Sequence, residues 1–245
     1  MNAFWHMTVS EWRLLFREPA AVFFTLVFPL LLLVLFGSIF GNDPARGFGG
    51  IGSVDLSTPG YIGLIIGTTA FMGIPQVVAT YRDQGILRRL RATPVPALTI
   101  IGAQLVVNLA MTSFGTLILV VVGRVVFDLS LPRAPAAVLV AFLFCCLSLF
   151  AIGMLLAAIL PTARVAQTVG MAIFFPMIFL SGSAFPRQMM PESIRNVAEV
   201  LPLTRVVILL SDVWFGFGWN LSAIVMLGVL LGVAAIISVR TFRWE

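Results

Sequence analysis

Six long runs of apolar residues dominate this sequence, and their length decides what the chain can fold into. A helix needs about 20 apolar residues to cross the hydrocarbon core of a bilayer. The runs are Ala20–Phe40, Gly60–Thr80, Thr99–Val122, Ala136–Leu160, Val165–Ser181 and Leu221–Val239. Only 10% of the residues are charged, whereas a soluble domain carries about 25%. The pattern predicts a single all-α integral membrane domain, residues 1–245, with six transmembrane helices.

Several residue types that catalysis commonly needs are missing. All 15 basic residues are arginines, so the chain lacks the lysine of a G-x-x-x-x-G-K-[ST] phosphate-binding loop and of a Schiff-base enzyme. The single histidine, His6, excludes an H-E-x-x-H zinc site. Cys145 and Cys146 are adjacent within an apolar run, which is typical of small packing residues. We expect no catalytic residue, cofactor or metal in this chain.

The arginines are distributed among the membrane segments and indicate orientation rather than nucleic-acid binding. Six spans place both termini on one side. If that side is the cytoplasm, nine arginines face inward and six face outward. The inward set is Arg13, Arg17, Arg82, Arg88, Arg89, Arg91, Arg164, Arg240 and Arg243. The outward set is Arg46, Arg124, Arg133, Arg187, Arg195 and Arg205. The positive-inside rule therefore favours cytoplasmic termini in a cell membrane, and we expect a bacterial one.

The segment before the first run has the pattern of an interfacial helix over residues 8–18. Thr8 and Glu11 have the spacing of a capping box, and Pro19 ends the segment. Trp12 and Phe16 form an apolar stripe at helical spacing, and Arg13 and Arg17 form a basic stripe beside it. Such a helix lies on the inner membrane face as an anchor, or it contacts a partner protein.

A short arginine-rich segment, residues 82–96, follows the second run. Ile86, Leu87 and Leu90 form a small apolar face beside a charged rim, and Pro94 ends the helix. The segment is either a positive-inside loop or a helix that fits a groove on a soluble partner.

The longest connection, residues 182–220, is too apolar for a solvated loop and too interrupted for one crossing. Ile194, Val197, Ala198 and Leu201 recur at helical spacing, and a second apolar stretch follows Pro202. The pattern predicts a re-entrant pair of short helices in the outer leaflet. Irregular backbone at that depth must be covered by protein or face a wet cavity, so we expect it beside a translocation route.

The predicted spans are rich in phenylalanine and contain no acidic residue. Asp55 and Asp83 are assigned to connections, so a proton relay lacks its ionisable group. Phenylalanines that could border a path for an apolar cargo, or simply fill and coat the spans, are Phe24, Phe28, Phe175 and Phe179. Two close-packing motifs, Gly63-x-x-x-Gly67 and Gly228-x-x-x-Gly232, fit packing within the chain or a seam between two chains.

Two motifs resemble those of the permease subunits of ABC type-2 (ABC-2) exporters. Residues 83–94, DQGILRRLRATP, are similar to the family's E-x-G-T-L…T-P coupling segment, although Asp83 replaces glutamate and Ile86 replaces threonine. Residues 180–191 and 202–204 are similar to the family's outer re-entrant region. The chain most resembles antibiotic and multidrug exporter permeases, with glycan exporters second.

The resemblance implies partners as well as a fold. The N-terminal helix and the coupling segment would dock on a separate ATPase, which binds the ATP and Mg²⁺, and two permeases, identical or closely related, would form the pathway. The coupling residues it implies are Asp83, Gly85, Leu87, Arg88, Leu90 and Arg91. The expected cargo is a hydrophobic small molecule or lipid, moved outward.

Two other classes are weighed against this interpretation. An intramembrane enzyme would need clustered catalytic or metal-binding residues at the membrane face, and the sequence shows none. A channel or uncoupled scaffold would be indicated by a charged ring lining a pore, which is also missing.

Overall fold

The fold was analysed in a computed structural model that describes residues 22–44, 50–86, 97–184 and 190–241, with side chains from residue 102 onward in the third range. These ranges contain no β-strand and six helices long enough to span a membrane. The prediction of an all-α integral membrane protein is confirmed. The predicted interfacial helix, with Trp12, Arg13, Phe16 and Arg17, lies outside the described residues.

The helices follow the predicted order. We label them α1 (Phe23–Phe40), α2 (Ser53–Asp83), α3 (Ala97–Phe127), α4 (Pro135–Ile159), α5 (Ala163–Ser181), α6 (Glu192–Ala198), α7 (Pro202–Phe215) and α8 (Leu221–Thr241). Helices α6 and α7 are the two short helices predicted between the fifth and sixth spans. The other six are the membrane-spanning helices.

Helix α2 is the main departure from the predicted boundaries. It begins at Ser53, seven residues before the expected Gly60, and includes Pro59 in its second turn. The assignment of Asp55 and Asp83 to connections was therefore wrong, because Asp55 lies in the first turn of α2 and Asp83 is its last residue. A carboxylate is favourable in a first turn, where the helix N–H groups are unpaired. The Asp55 carboxylate also accepts hydrogen bonds from the connections that follow α1 and α3.

Helix α2 is also the centre of the bundle. It packs against α1 and α3 along its first half and against α4 and α5 along its second half, while α7 lies beside the first half. Tyr61, Leu64 and Ile66 are each 2% exposed or less. The outer faces of α1, α3 and α8 keep many exposed valines and leucines. Such faces are expected of helices that contact lipid rather than water.

Two π-helical turns widen the spanning helices, one in α1 (Phe23–Val27) and one in α2 (Thr69–Gly73). Each is followed within two residues by a proline, Pro29 or Pro75. A proline has no N–H to donate and its ring collides with the carbonyl four residues earlier, so a regular α-helical turn cannot continue through it. Widening the preceding turn removes that conflict locally.

Glycines on neighbouring helices face the wide turn of α2. A Cβ at Gly153 of α4 would overlap the carbonyl oxygen of Ala70, and one at Gly170 of α5 would overlap that of Phe71. In a regular helix the Phe71 carbonyl would accept a hydrogen bond from the N–H of residue 75, but that residue is a proline and has no N–H. Only a residue without a side chain lets α4 and α5 approach α2 this closely.

The two predicted close-packing motifs have different surroundings. Gly63 and Gly67 face α7 and α5 within the chain, where a Cβ would lie 3.0 Å from Val207 Cγ2 and 3.2 Å from Leu203 Cδ1, respectively. In the part of the chain that the structure describes, a Cβ at Gly228 would have only Phe144 Cζ nearby, at 3.9 Å, and one at Gly232 would meet nothing within 4 Å. The first motif therefore packs within the chain, whereas in the second Gly228 is half-buried beside α4 and Gly232 is exposed.

Helix α7 returns through the bundle antiparallel to α2. Leu203 near its start contacts Gly67, close to the midpoint of α2, and Trp214 near its end donates from Nε1 to the Ser130 carbonyl (3.3 Å) after α3. Fourteen residues rise about 21 Å. The pair α6–α7, the hairpin, thus reaches the middle of α2 and turns back, while its re-entrant placement in the outer leaflet stays a prediction.

Candidate functional site

The Asp83 end of the bundle holds the predicted coupling residues that the structure describes. Asp83 closes α2, and Gly85 follows in a left-handed conformation (φ 66°) with its N–H bonded to the Arg82 carbonyl (2.9 Å). Among the described residues, a Cβ on Gly85 would meet nothing within 4 Å, and the left-handed conformation itself favours glycine at this position. Leu87, Arg88, Leu90 and Arg91 lie outside the described residues.

Asp83 is tied to the start of α5. Its Oδ2 accepts a hydrogen bond of 2.9 Å from the N–H of Ala163, the first residue of that helix. The first four N–H groups of a helix lack partners within it, and the helix dipole favours a negative charge there. Thr162 caps the same helix by accepting from the N–H of Val165 (3.3 Å). The exposed Asp83 side chain therefore holds the α4–α5 connection, and its contact with an ATPase stays a prediction.

Arg82 is tied to the end of α4. Its Nη1 donates to the Leu160 carbonyl (2.8 Å) and its Nη2 to the Ala157 carbonyl (2.9 Å). These carbonyls belong to the last turn of α4 and the residue after it, where helix carbonyls lack internal partners and a cation is favoured. Sequence reasoning counted Arg82 only as an inward positive charge. Its position directly before the coupling motif was the available signal.

The Asp55 end of the bundle is closed by a second polar network. Asp55 Oδ1 accepts from Asn42 Nδ2 (3.0 Å) and from the N–H of Ser130 (2.9 Å), and the Asp55 N–H donates to Asn42 Oδ1 (3.0 Å). Asn42 Nδ2 also donates to the Phe127 carbonyl (3.1 Å). Asp55 is 8% exposed. One carboxylate thus joins α2 to the connections after α1 and α3, and sequence reasoning did not anticipate it.

A cavity of about 740 Å³ lies beside this network, between the connections and the end of α7. Its lining combines acidic, basic and aromatic side chains, including Asp43, Asp128, Arg133, Trp214 and Phe217. Among the described residues, no group of three or more His, Cys, Asp or Glu side chains could hold a metal ion. The cavity is an open polar recess at the end of the bundle.

The middle of the bundle is polar without being charged. Thr69, in the wide turn of α2, pairs with Thr112 of α3 through their hydroxyls (3.1 Å). Gln104 and Asn108 continue this stripe along α3 at four-residue spacing and are at most 5% exposed. Charged residues of the six spanning helices lie within four residues of a helix end, at Asp55, Arg82, Asp83, Arg124, Arg164 and Arg240.

The phenylalanines singled out from the sequence form two separate pairs. Phe24 and Phe28 are half-buried on α1 and meet edge to face, with ring centroids 5.8 Å apart. Phe175 and Phe179 are 42% and 54% exposed and lie one turn apart on α5. Helix α1 packs mainly on α2 and α3, whereas α5 packs on the second half of α2 and on the hairpin. A single chain therefore does not pack the two helices side by side.

These features define a polytopic helical membrane protein whose charged groups join the helices at both ends of the bundle. The chain belongs to the ABC-2 type transporter family, whose sequence model matches residues 2–215. The resemblance stated from the two motifs is confirmed at the level of the family. The chain is therefore a membrane-spanning permease subunit of an ABC transporter and works with an ABC ATPase. A comparison with curated proteins finds no match.

Proposed function

We propose that this permease exports a hydrophobic or amphipathic molecule, such as an antibiotic, a drug or a lipid, from the cytoplasm or the inner leaflet. The confinement of charge to the helix ends carries this proposal. A strongly charged cargo would need counter-charges along its route, and charges at mid-membrane are costly unless they serve such a role. The aromatic pairs on α1 and α5 give the bundle apolar faces instead.

In this proposal, the Asp83 end faces the cytoplasm and the hairpin faces outward. The arginine distribution supports this orientation. The ATPase docks on residues 82–96, with Leu87 in an apolar pocket and the arginines at its rim. The N-terminal interfacial helix lies against the same partner, and ATP and Mg²⁺ are bound by that partner.

The pathway is proposed to form between two permeases, which are identical or closely related. The separation of the phenylalanine pairs supports this arrangement, because α1 of one chain could face α5 of the other. Phe24, Phe28, Phe175 and Phe179 would then border a lateral opening to the bilayer. The wide turn in α1 and Pro176 in α5 supply positions where the two helices can bend.

The cargo class is tested by ATP turnover of the permease–ATPase complex in liposomes. Hydrophobic drugs should stimulate turnover, and Phe175→Ala should reduce that stimulation while leaving the unstimulated rate in place. The control is Leu147→Ala on α4, because Leu147 is similarly exposed at 48% and belongs to neither phenylalanine pair. Stimulation only by sugars or small ions would contradict the proposal, and stimulation by lipid-linked glycans would favour the glycan exporter.

The docking segment is tested by Leu87→Asp. We expect the variant to insert in the membrane, lose transport and lose co-purification of the ATPase, because a carboxylate cannot fill an apolar pocket without a large desolvation cost. Leu87→Met, which keeps apolar volume, should retain both properties. Normal export by Leu87→Asp with its ATPase bound would reduce this segment to a topogenic loop.

A further inference from the structure

We propose that Arg82 and Asp83 act as a clasp that transmits movement of the docking segment to α4 and α5. The inference rests on the proposed function, in which the ATPase docks on residues 82–96 and moves the part of this docking segment that follows α2. The clasp consists of these two side chains and their three backbone partners, the carbonyls of Ala157 and Leu160 and the N–H of Ala163. Both are positioning residues, which act on the pathway through the helices that they hold.

The clasp fixes three helix ends to one another. Arg82 holds the end of α4 through two hydrogen bonds, and Asp83 holds the start of α5 through a third, all between 2.8 and 2.9 Å. All three are charge-assisted, which makes them stronger and more directional than neutral ones. Because the two residues are adjacent and end α2, any displacement of the docking segment pulls on both neighbours at once.

A second set of contacts joins the same helices deeper in the bundle. Gly153 of α4 and Gly170 of α5 lie against the carbonyls of Ala70 and Phe71 in the wide turn of α2. The stretch of α2 from this turn to Asp83 is thus held to α4 and α5 at two levels. Two levels of attachment make relative tilting costly, so the three segments should move as one body.

Helix α5 carries this movement to the hairpin. It ends at Ser181, whose hydroxyl donates to that of Ser183 (2.9 Å), and the intervening Gly182 carbonyl lies against Gly60. Phe174 of α5 stacks on Phe71 of α2, with ring centroids 5.9 Å apart. The first half of α2 packs against α1 and α3 and also against α7. A movement of α5 therefore reaches the hairpin and this half of α2 together.

The clasp is tested by the ratio of cargo transported to ATP hydrolysed in the reconstituted complex. In complexes purified with the ATPase bound, Arg82→Ala should lower this ratio about tenfold, within the usual range of coupling between sites. Arg124→Ala is the matched control, because Arg124 Nη1 also donates to a backbone carbonyl beyond a helix end, that of Leu129 (3.2 Å). It should leave the ratio unchanged. An equal ratio in the two variants would overturn the clasp.

A second variant separates transmission from folding. Asp83→Cys with Ala163→Cys, in a background without Cys145 and Cys146, should lower the ratio when reduced and restore it when a disulfide replaces the lost bond. Oxidation that stops transport while ATP turnover continues would overturn the proposal, because the two helices must then separate during the cycle. If the unsubstituted permease binds no ATPase, the proposed function fails instead, and co-purification shows this before any ratio is measured.

Discussion

Gly170→Ala should destabilise the permease by about 3 kcal/mol, the upper part of the range for overpacked interiors. The added Cβ would overlap the Phe71 carbonyl oxygen, which is backbone in the wide turn of α2 and cannot rotate away as a side chain would. Helix α5 must then move away from α2 and lose its packing along the whole contact. Gly153→Ala should have a similar effect through the Ala70 carbonyl. Thermal unfolding in detergent measures both variants.

Gly232→Ala is the control for this pair. Its Cβ would meet none of the described residues within 4 Å, and alanine is the better helix former by about 1 kcal/mol. We expect the unfolding temperature of this variant to be unchanged or slightly raised. If Gly170→Ala unfolds at the same temperature as Gly232→Ala, the close approach of α5 to α2 does not contribute to stability.

Asp55→Ala should lower the free energy of unfolding by about 3 kcal/mol, because hydrogen bonds to a charged group contribute about 1.5–3 kcal/mol each. The change removes the acceptor of both the Asn42 side chain and the Ser130 N–H. Ser130 also accepts from Trp214, so the loss extends to the end of α7. Thermal unfolding in detergent measures this variant too, and we expect a lower unfolding temperature because the Asp55 end of the bundle is destabilised.

Asp55→Asn isolates the charge from the geometry. The amide oxygen can still accept from Asn42 and Ser130, so we expect about half of the loss seen with alanine, as neutral hydrogen bonds are roughly half as strong as charge-assisted ones. A full loss with asparagine would show that the negative charge at the start of α2 matters more than the hydrogen bonds. No loss with alanine would contradict the structural role of the network.

The number, order and approximate bounds of the spanning helices followed from the sequence, because apolar length alone decides whether a helix can cross a bilayer. The start of α2 did not. Residues 53–59, SVDLSTP, have the composition of a connection, and a proline usually argues against a helix interior. Their helix is supported by the bonds of Asp55 to Asn42 and Ser130, which lie 13 and 75 positions away.

The two glycine motifs also separate what the sequence predicts from what tertiary structure decides. Gly63-x-x-x-Gly67 and Gly228-x-x-x-Gly232 are equivalent as patterns, and local sequence predicts close packing for both. The positions of α7 and α5 distinguish them, because these two helices cover the first motif. The surroundings of the proline-linked wide turn in α2 were likewise decided by tertiary structure. Pro75 disturbs its own helix locally, but the glycines that accommodate it are on α4 and α5.

The family and its coupling motif were also accessible from the sequence, because the motif consists of neighbouring residues with a defined spacing. The roles of Arg82 and Asp83 were decided by tertiary structure. Their partners are the backbone groups of Ala157, Leu160 and Ala163, between 75 and 80 positions away. Every residue presents the same carbonyl and nearly every residue the same N–H, so a side chain's choice among backbone groups leaves no pattern in the sequence. It depends on which helix ends the packing brings within reach.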